Sequence, residues 1–311
     1  MIEKFISKLE LTEEDMVLID RPSYLDFAQP LFKYKNEAKT VVLFHAGHYF
    51  DKYESTSSLG LNMEYYYWFR NSDKIHTILV STEEQKRELK ECLERFQCYV
   101  PKIEAVPFGW LSELKYPDNP RKKHSLLTVS RLVYDKRVEW IVAAVIEARK
   151  NISDLTLDIY GEGEENYETK LKQMIAENAA SSYITLKGQC DVAELYKNYE
   201  VYVSASIRES LGLSIMEAVG SGNAVIGLDV RYGNRLFVEQ GENGFLIEFN
   251  AEDSENEEKV DRLISEYVKR IQELCEEKTE ISTFHSCSYK IAESFLKESI
   301  EKRWMEVLRN I

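Results

Sequence analysis

Two carboxylates eight positions apart, Glu209 and Glu217, close the ends of the segment Glu209-Ser210-Leu211-Gly212-Leu213-Ser214-Ile215-Met216-Glu217. The apolar run Val201-Tyr202-Val203 leads into it and a helical pattern follows Gly212, so it lies at a strand-to-helix junction. The first amides of a helix have no backbone partner and carry the positive end of its dipole, and both effects favour a phosphate. An ionised carboxylate only accepts hydrogen bonds, so one of these glutamates could hold sugar hydroxyls and the other ribose hydroxyls. The competing reading is an acid at a helix start plus a solvated helical Glu, which needs no ligand.

A second junction is Leu127-Thr128-Val129-Ser130-Arg131-Leu132-Val133-Tyr134-Asp135-Lys136-Arg137. It puts Arg131 and Lys136 beyond the carboxyl end of a strand, where open α/β sheets bind ligands, and two cations there could neutralise a departing diphosphate. Exposed Lys and Arg are also ordinary loop residues. Gly188-Gln189-Cys190 follows another strand, and its backbone could pair with a nucleobase edge. His45-Ala46-Gly47-His48 follows the run Thr40-Val41-Val42-Leu43-Phe44, where an imidazole could donate a hydrogen bond or carry a proton. A zinc site would need further ligands at suitable spacing, which the sequence does not supply. Gly161-Glu162-Gly163-Glu164 lacks the third glycine and the Lys-Ser/Thr of a phosphate loop and reads as a turn.

Short apolar runs alternate with amphipathic stretches from Met16 to about residue 250, the pattern of βαβ units and a parallel sheet. Strands are expected at 16–19, 40–45, 77–81 and 103–107, then at 125–130, 155–160, 183–187, 201–204, 224–227 and 245–248. Helices are expected at 136–150, 164–178, 192–198 and 213–220. The polar stretch 115–123, with Pro117 and Pro120, reads as an interdomain linker. Six strands after it make a complete Rossmann-like domain, whereas the four before it make an incomplete one. The expected division is 1–117, 118–284 and a C-terminal helical part, 285–311, packing back toward the first domain.

At 311 residues two domains are favoured over one, and 44% hydrophobic with 30% charged residues is ordinary for a folded globular chain. A formal net charge of −14 argues against a general nucleic-acid binder, which needs clustered cations. The odd set Cys92, Cys98, Cys190, Cys275 and Cys287 lacks metal-type spacing and reads as reduced cytosolic thiols. No apolar run reaches the roughly 18 residues of a membrane span, while peripheral attachment to a membrane stays open.

The basic pair Arg131…Lys136 followed by Glu209…Glu217 resembles glycosyltransferase family 4, of the two-domain GT-B fold. Phe44-His45-Ala46-Gly47-His48-Tyr49, Glu209-Ser210-Leu211-Gly212 and Glu242-Asn243-Gly244-Phe245-Leu246-Ile247 are similar to the protein O-linked N-acetylglucosaminyltransferases of the bacterial accessory Sec system. The resemblance implies a retaining, metal-independent transfer of N-acetylglucosamine from UDP-GlcNAc, without a cofactor, to Ser/Thr of a serine-rich repeat adhesin. It implies a cytoplasmic protein beside a related, non-catalytic glycosyltransferase subunit. On the matched positions it assigns Arg131 and Lys136 to the diphosphate, Glu209 to the donor sugar and Glu217 to the ribose. The backbone of Gln189 and Cys190 falls to the uracil, the Ser210, Leu211 and Gly212 loop to the phosphate, and His45 or, more weakly, His48 to the GlcNAc. The chain departs from the family in having Ser210-Leu211 where Gly-Phe is frequent, and in lacking a strand and Gly-rich loop before Met16. That second departure leads to the expectation that the chain begins inside the first domain. Two alternatives therefore stand beside transfer to an adhesin: a truncated or non-catalytic nucleotide-sugar-binding subunit, and a wall teichoic acid glycosyltransferase.

Overall fold

The computed structural model describes residues 2–6, 8–21, 23–33, 37–45 and 63–311. The chain divides into two compact units, Met1–Phe108 with Ile300–Ile311, and Gly109–Ser299. The first contains four parallel strands, β1 (Met16–Ile19), β2 (Lys39–Phe44), β3 (Thr77–Val80) and β4 (Lys102–Ala105), side by side in chain order. Helices α1 (Ile2–Ile6), α2 (Leu25–Lys33), α3 (Met63–Arg70) and α4 (Glu83–Arg95) accompany them. Strands of a parallel sheet are covered on both faces and so are apolar throughout, which is how β2 and β3 read. Side chains alternate between the faces. Val42, Phe44, Ile78 and Val80 therefore pack with Trp68, Leu89 and Leu93 on one side, while Val41, Leu43 and Leu79 join Val106 and Ile311 on the other. Helix α4 starts where the Thr82 hydroxyl accepts the Gln85 amide at 3.0 Å.

The second unit has six parallel strands: β5 (Ser125–Val129), β6 (Thr156–Tyr160), β7 (Ile184–Gly188), β8 (Val201–Val203), β9 (Ala224–Leu228) and β10 (Gly244–Ile247). Their order is β10-β9-β8-β5-β6-β7. From β5 the chain builds outward through β6 to β7, then returns to lay β8 against the other side of β5. That reversal is the topological switch of a doubly wound sheet, and ligands bind beyond the carboxyl ends of the two strands that flank it. Here those strands are β5 and β8, whose continuations carry Arg131 with Lys136 and Glu209 with Gly212.

Helices α5 (Val138–Ala148), α6 (Glu165–Glu177), α7 (Leu213–Gly220), α8 (Asn234–Phe237), α9 (Glu257–Cys275) and α10 (Ile281–Glu293) complete the unit. Helix α5 is buried almost all round and packs on α9. From α9 the fully buried Tyr267 donates to the carbonyl of Ser204, 2.7 Å away, and so fastens the end of β8 to the core. The polar stretch 115–123 is bound into this unit. The Lys115 amide donates to Gly220 O at 2.9 Å, and the Arg121 guanidinium donates to Ser221 O at 2.5 Å and Lys197 O at 3.1 Å. Tyr289 of α10 adds a bond to Lys115 O at 2.8 Å. The division between units falls at Phe108, ahead of this stretch. The last helix, α11 (Lys297–Arg309), supplies Trp304, Val307 and Leu308 to the Val41 side of the first sheet, with Trp304 Nε1 donating to Pro107 O at 3.0 Å.

Near Arg121 lies His285 of α10, whose ring Nε2 is 3.1 Å from Glu200 O. Burial first, then the Arg121 charge, push its pKa from 6.5 down to about 4, against the opposing carbonyl contact. As pH falls below 6.5 the unfolded chain takes up a proton that the folded imidazole refuses, so stability is lost progressively towards pH 4. Replacing His285 by Gln should remove this component. In urea melts, the stability of wild type relative to H285Q should drop by roughly 2–3 kcal/mol between pH 7 and pH 4.5. Glu200, raised by its own burial, titrates in both proteins and cancels from the comparison. A pH-independent difference would refute the assignment.

Candidate functional site

The loop leaving β5 is held from below. Tyr134–Lys136 form one turn of 3-10 helix, and Arg137 then takes a left-handed conformation (φ 45°) at the start of α5. Arg137 is buried, its guanidinium 3.4 Å from the Tyr134 ring centroid and 4.9 Å from that of Trp140, with Glu139 at 3.6 Å. Glu139 in turn accepts from the Tyr167 hydroxyl of α6. The loop leaving β8 is laced to this turn, since the Ile207 amide donates to Asp135 O at 3.0 Å and Arg208 donates to the Asp135 carboxylate at 2.9 Å. These links bring Lys136 Nζ to 2.5 Å from Glu209 Oε1, with 18% and 15% of the side chains exposed. Arg131 lies on the same loop, exposed, with no side-chain partner among the described residues.

Helix α7 begins without a side-chain cap. Its N-cap is Gly212 at φ 79°, and Ile215 and Met216 donate to the Gly212 carbonyl, so the amides just before them have no helical partner. Gly233 fixes this loop from outside, because a Cβ there would lie 1.7 Å from the Leu211 carbonyl oxygen. The Tyr232 amide donates to Glu209 O at 2.7 Å, and the fully buried Asn234 donates to Leu228 O at 2.8 Å. From β8 the Tyr202 hydroxyl lies 3.1 Å from Val129 O and 2.9 Å from Ser214 Oγ, tying β5 to the first turn of α7.

On the solvent side of α7, Glu217 Oε2 accepts from the Tyr196 hydroxyl at 2.9 Å. Water reaches Glu217, yet the protein packed around it, foremost, and the charge of Asp191 raise its pKa above the ordinary carboxylate value, while the Tyr196 hydroxyl opposes them. Gln189 and Cys190 are exposed directly after β7, beyond Gly188 (φ 71°). No described hydrogen bond links their side chains to Lys136 or Glu209. The Gly161–Gly163 turn packs on the β5 loop, with Gly161 against Ser130 O and Gly163 against Leu132 O, so it shapes that loop.

In the first unit His45 follows β2, its Nε2 3.0 Å from Asp20 Oδ1 at the end of β1 and its ring centroid 4.7 Å from that of Phe108. His48 lies outside the described residues. Sequence reasoning passed over Asp20, Asp135, Tyr196 and Tyr202. Each acts through a partner distant in sequence, and no local pattern marks it. Among the described residues no group of three His, Cys, Asp or Glu could hold a metal ion, and no helix is long and apolar enough to cross a membrane.

The sequence profile described as Glycosyl transferases group 1 matches residues 114–280. The UDP-N-acetylglucosamine–peptide N-acetylglucosaminyltransferase GtfA subunit of Streptococcus gordonii is 37% identical over 311 residues, covering 100% of this chain and 60% of that protein. The crystal structure of the pneumococcal O-GlcNAc transferase GtfA in complex with UDP and GlcNAc aligns with a TM-score of 0.89 at 36% identity, over 99% of this chain and 59% of that one. A crystal structure of a GtfA/B complex aligns equally well, at 38% identity and TM-score 0.89, over 99% of this chain and 59% of that one. The chain thus spans about 60% of the length of the curated relatives it matches.

The contact of Gly233 with Leu211 makes a sharp prediction. Gly233 has an ordinary helical backbone (φ −66°), so Gly233→Ala adds no torsional strain and only the clash with the Leu211 carbonyl. Overpacking of this kind should cost about 1–3 kcal/mol in a denaturant melt and displace the loop that presents the free amides. A variant as stable as wild type would show that the loop yields freely.

Proposed function

The chain belongs to the group 1 glycosyl transferases, and from that premise we propose that its second unit holds the donor UDP-GlcNAc for transfer of N-acetylglucosamine to Ser/Thr of a serine-rich repeat adhesin. The observation that carries the reading is the Lys136–Glu209 pair, at the switch between β5 and β8 and on the loop that runs into the uncapped start of α7. The GtfA relatives, named for transfer of this sugar to peptide, support the choice of donor and acceptor class. The relative in complex with GtfB supports a second, related glycosyltransferase subunit as partner. The reaction is assigned to the cytoplasm.

In this reading the bond between the sugar C1 and the diphosphate oxygen breaks, the acceptor hydroxyl oxygen bonds to C1 with retention, and the hydroxyl proton leaves with the UDP or to solvent. Negative charge grows on the diphosphate as that bond breaks. Lys136, Arg131 and the free amides at the start of α7 meet it with preorganised positive charge, the electrostatic task a divalent cation performs in other enzymes. A diphosphate that takes the Lys136 ammonium frees Glu209 to accept from sugar hydroxyls, so the ion pair is a pre-set receptor for both parts of the donor. Glu217 is assigned to the ribose and the Gln189-Cys190 backbone to the uracil. For His45 the proposed task is a hydrogen bond to the GlcNAc. With Asp20 on Nε2, the imidazole offers Nδ1 to a hydroxyl.

Calorimetric titration with UDP is the first test. Lys136→Ala removes a charge-assisted contact and should weaken UDP binding roughly 10- to 100-fold. Arg131→Ala should weaken it less, since that side chain is exposed, and transfer of labelled GlcNAc to a serine-rich peptide should fall with both. Unchanged UDP affinity in K136A, or transfer intact in both variants, would contradict the assignment.

A further inference from the structure

The turn Tyr196–Asn198 lies under the outer face of α7 and carries a buried hydroxyl that the reading above leaves without a task. Tyr196 is fully buried, and burial keeps its phenol protonated far above neutral pH, so it is a permanent donor. It is firmly held. The fully buried Asn223 amide donates to Tyr196 O at 2.9 Å and Tyr199 O at 2.6 Å, and Ser288 of α10 donates to Asn223 O at 2.6 Å. The Tyr196 hydroxyl reaches the solvent-facing carboxylate of Glu217 at 2.9 Å.

Every other described group that acts on this carboxylate works against its charge or is neutral. Asp191, from the loop after β7, is anionic and raises the Glu217 pKa, as does the protein packed around it. Tyr202 of β8, also buried, remains a neutral phenol, held so by burial, by Glu217 and by Glu209, whose own charge is paired with Lys136. Among the described residues, Tyr196 is the one hydrogen-bond partner of this carboxylate that stabilises its ionised form. An ionised carboxylate has about four acceptor positions, and Tyr196 takes one on Oε2. Those that remain, spread over two oxygens, match two adjacent hydroxyls.

We propose that Tyr196 is a positioning residue that keeps Glu217 charged and oriented as a receptor for the 2′,3′-diol of the donor ribose. The proposal rests on the UDP-binding reading and adds to it a residue outside the ligand's reach. Its consequence is specific to the ligand. Losing the Tyr196 hydroxyl should weaken a nucleotide that has the diol and spare one that lacks it. It should also raise the pH below which the diol-bearing nucleotide is lost, because Glu217 then protonates sooner.

Calorimetry on the full chain would compare UDP with 2′,3′-dideoxy-UDP at pH 7.5 and 5.5, in wild type and in Tyr196→Phe. The expected result is about a tenfold loss of UDP affinity in Y196F at pH 7.5, a larger loss at pH 5.5, and equal dideoxy-UDP affinity in the two proteins. Glu217→Gln guards against a folding artefact. The double variant Y196F/E217Q should bind UDP no more weakly than E217Q alone, because the hydroxyl then has no charge to support. Equal loss for both nucleotides in Y196F, no loss for either, or additive losses in the double variant would overturn the proposal. If wild type binds dideoxy-UDP but Y196F changes nothing, the UDP reading survives and the role of Tyr196 fails. If wild type binds neither nucleotide, the UDP reading falls and takes the proposal with it.

Discussion

Lys136 and Glu209 meet because β5 and β8 are hydrogen-bonded neighbours although 71 residues separate Val129, where the first ends, from the start of the second at Val201. The arrangement of charge at the switch point of the second unit follows from that adjacency. It places two loop exits beside each other, one with cations and one with a carboxylate, and it directs both to the side of the sheet where α7 begins. A partly buried ion pair contributes little net stability once desolvation is counted. In the proposed function, a ligand exchanges with one partner of the pair and binds the other.

The loops around the pair are not held by the pair itself. Tyrosine hydroxyls do much of that work from the core outward: Tyr267 holds the end of β8, Tyr202 reaches both Val129 O and the start of α7, and Tyr167 anchors Glu139 beneath the Arg137 turn. A buried phenol combines a large apolar body with one directional donor, so it can be packed firmly and still fix a polar atom near the surface. Glycines set the remaining geometry. Gly212 supplies the left-handed turn into α7, and Gly233 allows a backbone approach that any side chain would block.

Much of this frame was readable in the sequence, and for a definite reason. Strands buried on both faces are near-continuous apolar runs, which is how β5, β8 and β9 read; the more exposed β1 and β7 and the other strands of the second unit also fall within a residue of their expected bounds, and the bounds of α7 match its expected 213–220. Departures came where tertiary contacts override local pattern. The expected helix at 192–198 is only the 3-10 turn Tyr196–Asn198, because Asn223 captures the carbonyls of Tyr196 and Tyr199. Helix α5 starts at Val138 instead of 136, since Arg137 turns left-handed to stack its guanidinium on Tyr134. The stretch 115–123 has the composition of a linker, yet Arg121 and Tyr289 bind it to the second unit. Lys136, Glu209 and Glu217 were legible as charged residues at strand-to-helix junctions. Asp20, Asp135 and Tyr196 were not, because what distinguishes them is a partner brought close only by the fold.

The central claim is that the switch between β5 and β8 binds the diphosphate of a nucleotide sugar. A crystal structure of this chain with UDP tests it most directly. The diphosphate should lie within hydrogen-bonding distance of Lys136 Nζ and the amides at the start of α7, with the Glu209 carboxylate turned away from the lysine and the ribose against Glu217. A nucleotide bound elsewhere, with the Lys136–Glu209 pair intact and no phosphate at α7, would contradict it.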